Sequence, residues 1–227
     1  MAKVSLARKK ELNEPDAFID KSNQVALFIQ ENKEKVFGAI AGVIIIVIAI
    51  CGYIAYAKNH SDEAFAEFSK DLTWYEGTPD KPVTRSLDEV KERSDVFLKK
   101  YAGTVAGTLA KAKYAGIFYN EGLYKRSAEL YEKLLKDVKK DNALKNTALS
   151  GLAYSYESME KYEDAVKVFE MIANGESNVQ KGDALFHLGI IYEKLGKADK
   201  SRESYEKIVA SHPDSIFLDI AKEKTAG

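Results

Sequence analysis

The chain has 227 residues, enough for one ordinary domain with an added segment or for one large domain. Charged residues make up 30% and apolar ones 45%, and Lys+Arg 34 against Asp+Glu 35 leaves a net charge of -1, which excludes a strongly basic nucleic-acid binder by composition. A single cysteine, Cys51, excludes an intrachain disulfide framework and a multi-cysteine zinc site, and three histidines leave little material for a metal centre.

The first element to emerge along the chain is Asn23 to Lys35, NQVALFIQENKEK. Val25, Phe28 and Ile29 recur at helical spacing, which predicts a short amphipathic helix at the membrane interface, with docking on a membrane partner as the sharper alternative. Residues before about Pro15 read as a mobile tail. Val36 to Ala57 then runs for 22 residues without a charge. As a helix it is about 33 Å long, enough for a hydrocarbon core of about 30 Å. The expectation is a single transmembrane helix. Ala55-Tyr56-Ala57 has the small-x-small spacing of a cleavage site, but a 35-residue lead and a long apolar run do not suit a signal core. Cys51 follows bulky Ile50, where a lipid-anchoring motif needs a small residue. Gly38 and Gly42 form a GxxxG, a weak sign of helix association that leaves a homo-oligomer open. Lys21, Lys33 and Lys35 lie close before the span, and Lys58 and Lys70 after it. That bias puts the N-terminus in the cytoplasm and residues 58–227 across the membrane.

Residues 58–227 number 170 and read as all-α. Ser61 to Glu76 and Leu87 to Tyr101 predict two helices, stopped in between by the turn Gly77 to Pro82, and together make a degenerate hairpin over 58–102. Three further units follow in register, at about 108–141, 146–179 and 182–215. In the clearest, Leu185, Leu188-Gly189, Tyr192, Gly196, Tyr205 and Pro213 fall where a tetratricopeptide repeat of about 34 residues places them. The second offers Leu152-Ala153, Tyr156, Tyr162, Ala165 and Phe169. The third, weaker unit offers Tyr114-Ala115, Phe118, Gly122, Tyr124, Ser127 and Tyr131. Small residues at Gly189, Ala153, Ala165 and Ser201 let the two helices of a hairpin approach, and the rings fill the space around them. A capping helix is expected at 216–224. The predicted fold is therefore one transmembrane helix at 36–57, behind a tail of 1–35, followed by a tetratricopeptide-repeat-like right-handed α-solenoid.

No phosphate-binding loop, dinucleotide fingerprint, nucleophile elbow, zinc-binding helix or CxxC occurs in the sequence. His60, His187 and His212 stand apart, and His187 reads as a packed or surface residue of a repeat helix. Basic pairs such as Lys139-Lys140 interleave with acids, which disfavours nucleic acid. The reading is a protein-interaction module, with no enzymatic activity and no cofactor. In a solenoid the first helix of each repeat lines the concave surface. In register, that surface carries Tyr119, Tyr154, Glu157, Phe186, Ile190 and Glu193, which suits a peptide or an extended chain. Lysines and asparagines do not cluster there, which disfavours a clamp for acidic chain ends.

The layout resembles the bacterial YfgM-like family. NQVALFIQENKEK leads into an uncharged span, then an acidic, alanine-bearing helix and degenerate repeats. The similarity covers nearly the whole chain and is strongest from about Asp20 to Gly77, while the tail Met1 to Asp20 is longer than the family's. The resemblance implies an inner-membrane protein with a periplasmic domain, an ancillary subunit of the Sec translocon. It implies partnership with a membrane-anchored periplasmic chaperone and with unfolded client chains. It brings no catalytic residue. A scaffold for cell division or outer-membrane assembly is the competing expectation.

Overall fold

The computed structural model describes residues 17–77, 85–138, 142–175 and 180–226. Ten helices appear among them and no strand: α1 (Ala17–Glu31), α2 (Lys33–Glu76), α3 (Leu87–Tyr101), α4 (Val105–Asn120), α5 (Tyr124–Asp137), α6 (Asn142–Ser158), α7 (Tyr162–Ala173), α8 (Lys181–Lys194), α9 (Ala198–Ser211) and α10 (Leu218–Ala226). The all-α class matches the sequence expectation. The expected mobile tail, the turn residues Thr78 to Pro82 and the pair Lys139-Lys140 lie outside the described residues. The chain divides into two units, Met1–Asn59 and His60–Gly227.

In the first unit, α1 begins at Ala17, six residues before the stretch predicted from the sequence, and stops at Asn32. There the Asn32 side chain donates to the Phe28 carbonyl at 3.1 Å and competes with the helix. Val25, Phe28 and Ile29 are all exposed, as is Leu27 on the other side of the helix. The 44-residue α2 is long and apolar enough to cross a membrane, and none of its apolar window is buried. It also continues past Ala57 through the stretch that the sequence reading kept as a separate helix from Ser61. The cause is local. Lys58-Asn59-His60-Ser61 contains neither proline nor glycine, so nothing stops the helix, and Glu63, Ala64 and Ala66 favour its continuation.

The second unit stacks antiparallel hairpins. In the first of them Phe68 meets Phe97 at 5.7 Å and Tyr114 at 6.1 Å between ring centroids. The Tyr114 hydroxyl donates to Asp71 at 2.9 Å. Burial and that carboxylate push the Tyr114 hydroxyl well above its ordinary range, so it stays a donor. Ser86 and Glu89 form a reciprocal capping box that starts α3, and the Thr104 hydroxyl accepts from Gly107 to start α4. Lys111 of α4 is buried; its ammonium donates to Asp137 of α5 at 2.6 Å and to the Ala102 carbonyl at 2.7 Å.

The repeat positions chosen for smallness form the seams. Ala115, Ser127, Ala153 and Ala165 are completely buried, and the Ser201 hydroxyl donates to the Gly189 carbonyl at 2.8 Å. A β-carbon on Gly189 would stand 2.5 Å from the Tyr205 ring. Phe118, Leu134, Phe169, Ile191, Tyr205 and Ile208 fill the interior, and each contributes roughly 1.5–3 kcal/mol by burial. Between hairpins, the Ser155 hydroxyl of α6 donates to Ser127 of α5 at 3.0 Å.

Three hairpin turns share one geometry. Their middle residues, Gly122, Glu160 and Gly196, have φ of 74°, 58° and 68°. The residue after each donates back across the helix end: Leu123 to Phe118 at 2.7 Å, Lys161 to Tyr156 at 2.9 Å and Lys197 to Tyr192 at 2.8 Å. A left-handed backbone is free for glycine but costs other residues about 1 kcal/mol. Glu160→Gly is therefore expected to stabilise the protein by about 1 kcal/mol. An unchanged or lowered unfolding midpoint in urea would show that the Glu160 side chain compensates for its backbone.

Candidate functional site

Helical spacing puts Asp183, Phe186, Ile190 and Glu193 on one side of α8, and Ser150, Tyr154, Glu157 and Ser158 on one side of α6. Side chains from successive first helices meet along that line. Tyr119 of α4 shares a hydrogen bond of 3.2 Å with Ser158 of α6. The Tyr154 hydroxyl of α6 donates to Asp183 of α8. Glu157 of α6 lies 2.8 Å from Nδ1 of His187 on α8. Phe186 of α8 stacks on Phe217, just before α10, with centroids 3.9 Å apart and planes within 5°. Glu193 of α8 receives Lys224 of α10 through both oxygens, at 2.9 and 3.1 Å.

These contacts sort the six predicted groove residues. Tyr154, Glu157 and Phe186 come together around His187, whose ring lies edge-on to Tyr154 at 5.0 Å and to Phe186 at 5.8 Å. Phe169 supports the same ring from below, parallel to it at 5.2 Å. Tyr119 stands one helix away, beside Tyr124. Ile190 is half-buried, and Glu193 is exposed but engaged by α10. Sequence reasoning missed Asp183, Ser158, Phe217 and Lys224. Asp183 carried a usable signal, since it precedes Phe186 by three residues and Ile190 by seven on the same face. His187 sits as a packed residue, and it touches side chains of both α6 and α7 from α8.

The hydroxyls of this unit are held as donors. Burial, then the Asp183 carboxylate, pushes the Tyr154 hydroxyl well above its ordinary range. Burial, then Glu132 for Tyr156 and Glu170 for Tyr192, pushes those two hydroxyls up to about 12. On the other side of the stack, α7, α8 and α9 enclose a cavity of about 580 Å³. Leu185, Leu188 and Tyr192 floor it, and Glu170, Lys200 and Lys207 stand on its walls. None of the six predicted residues lines it. Glu193 instead borders a smaller cavity of about 420 Å³ with Arg202, Tyr205 and Lys224.

A crystal structure of MamA is similar over 63% of this chain and 93% of its own, at 18% sequence identity and a TM-score of 0.43. No curated protein matches the sequence. The family described as "Tetratricopeptide repeat-like domain" matches residues 27–222, which takes in the apolar helix as well as every hairpin. The chain therefore belongs to the tetratricopeptide repeat-like domain family.

Proposed function

We propose that the protein is a membrane-anchored interaction module that serves the Sec translocon as an ancillary subunit. Its first-helix face receives unfolded segments of translocating proteins and passes them to a membrane-anchored periplasmic chaperone. The observation that carries this reading is the extent of the family match. One family description spans α1 from Leu27 onward, the apolar helix and the repeats, which supports an anchor and an interaction domain belonging to one device. The uncovered apolar window of α2 supports the anchor, and the row of tyrosines and phenylalanines across α4, α6 and α8 supports peptide capture. The lysine bias before the span supports a cytoplasmic N-terminus and a periplasmic repeat domain in the inner membrane. The resemblance to YfgM-like proteins supports the translocon as the place of work.

Affinity purification in mild detergent with cross-linking and mass spectrometry tests this. The expected result is co-purification of translocon subunits, with cross-links from α6 and α8 to secreted proteins or a periplasmic chaperone. Recovery of only a division or outer-membrane assembly complex would replace the proposal with an envelope-scaffold role.

A further inference from the structure

We propose that the segment held on the first-helix face is basic: a lysine or arginine seats on Asp183 between Tyr154 and Phe186, with an apolar or aromatic residue beside it. This rests on the reading that the face binds protein segments, and it names their chemistry.

The protein's own C-terminal helix supplies the template. α10 is held on α8 by one aromatic and one ammonium, Phe217 stacked on Phe186 and Lys224 on Glu193. The face thus already accepts a ring on a ring and a lysine on a carboxylate. One repeat earlier, Tyr154 and Glu157 occupy the positions of Ile190 and Glu193, each 36 residues before its counterpart. There Glu157 is taken by His187 at 2.8 Å. Asp183 is the open acid. It accepts the Tyr154 hydroxyl on one oxygen, its other oxygen lies 3.9 Å from His187 Nε2, and its side chain is one-third exposed. A part-exposed carboxylate that holds a tyrosine hydroxyl on one oxygen can take an ammonium or guanidinium group on the other as a charge-assisted hydrogen bond.

The charges of the three first helices agree. The lysines of α4 and α8 are turned away or engaged. Lys111 is buried on Asp137, and Lys113 pairs with Glu76 at 2.6 Å. Lys194 lies over the Tyr162 ring at 5.0 Å, and Lys181 lines the cavity on the opposite side. Lys145 of α6 stands more than three turns from Glu157. The face is left with Glu157, Asp183 and Glu193 against the Lys224 of α10. With His187 and Lys224 already engaged by Glu157 and Glu193, an acidic segment is disfavoured there, whereas a basic one completes the pattern.

The test uses the full chain in detergent micelles and three labelled peptides of twelve residues that differ only in carrying lysine, glutamine or glutamate beside phenylalanine. In fluorescence anisotropy the lysine peptide is expected to bind at least about tenfold tighter than the glutamate peptide, with affinity falling as salt rises. Asp183→Asn, which preserves the shape of the residue, is expected to bring the lysine peptide down to the level of the glutamine peptide. The control Glu206→Gln, an exposed acid of α9, should change nothing. A photo-reactive lysine peptide should cross-link to α6 and α8. Equal binding of all three peptides, an unchanged lysine preference in Asp183→Asn at an unchanged melting temperature, or cross-links confined to α7 and α9 would overturn the inference while leaving peptide capture standing. Binding of none of the three would overturn peptide capture itself.

Discussion

Gly107→Ala is expected to destabilise the repeat domain by about 3 kcal/mol, the upper end for an overpacked site. Gly107 lies in the first turn of α4, with its N–H held by the Thr104 hydroxyl at 3.0 Å. A β-carbon there would come under 3.0 Å from backbone atoms of both Tyr101 and Ala102. Backbone has no rotamer to swing aside. Tyr101 is itself buried and packed on Phe97, with ring centroids 5.0 Å apart, so the obstruction is fixed. Relief requires the turn between α3 and α4 to open, which loosens the Lys111 ammonium from the Ala102 carbonyl. Thermal unfolding of the detergent-solubilised chain, followed by far-ultraviolet circular dichroism, should show a midpoint lowered by roughly 6–12 °C. Gly116→Ala is the control. The nearest neighbour of its added carbon is the Tyr131 hydroxyl at an ordinary 3.7 Å, so helix propensity makes that change neutral to stabilising. Equal midpoints for the two variants would mean that the α3–α4 turn yields freely.

Phe169→Ala carries the second large effect, about 4 kcal/mol of stability, because a completely buried ring leaves a cavity that rigid helices close poorly. Its consequence reaches the first-helix face. Phe169 lies parallel to His187 and edge-on to Tyr154 at 5.6 Å, so it is the floor on which both stand. Without it the Glu157–His187 contact and the Tyr154–Asp183 hydrogen bond lose their fixed geometry. The lysine peptide should bind more weakly even at temperatures where the variant remains folded. Met171→Ala, an exposed side chain of the same helix, should alter stability by less than about 0.5 kcal/mol. Retention of full peptide affinity by folded Phe169→Ala would separate the face from the core beneath it.

The seams of the stack were legible in the sequence because they obey the repeat period. Ala115, Ser127, Ala153, Ala165, Gly189 and Ser201 are small for one geometric reason, and they recur at spacings of 38 and 36 residues, a little longer than the usual repeat of about 34. The turn at Glu160 was less legible, since nothing about a glutamate announces a left-handed backbone. Only its equivalence to Gly122 and Gly196 does so. Gly151 was invisible for a similar reason. Its closeness to the Tyr131 ring depends on the angle between two hairpins, which no spacing within a hairpin records. On the first-helix face, Tyr154 and Phe186 followed from register. Their meeting with Asp183 and His187 did not, because each pair joins helices about 30 residues apart. The continuous α2 was missed because the change from apolar to charged residues at Lys58 was read as a boundary between elements. Polarity can change along a helix without any break in its backbone.

The arrangement of α10 has a consequence for how the protein behaves at high concentration. Any stack of hairpins ends in a surface shaped to receive one more hairpin, and such a surface invites head-to-tail growth into filaments. On the last hairpin that surface is filled by Phe217, Lys224 and the completely buried Ala221. α10 turns Asp219, Lys222 and Glu223 outward, with Ile220 exposed among them. On the α8–α9 hairpin this helix takes the place that a further hairpin would fill, so a hairpin from another copy could add there only by displacing Phe217 and Lys224.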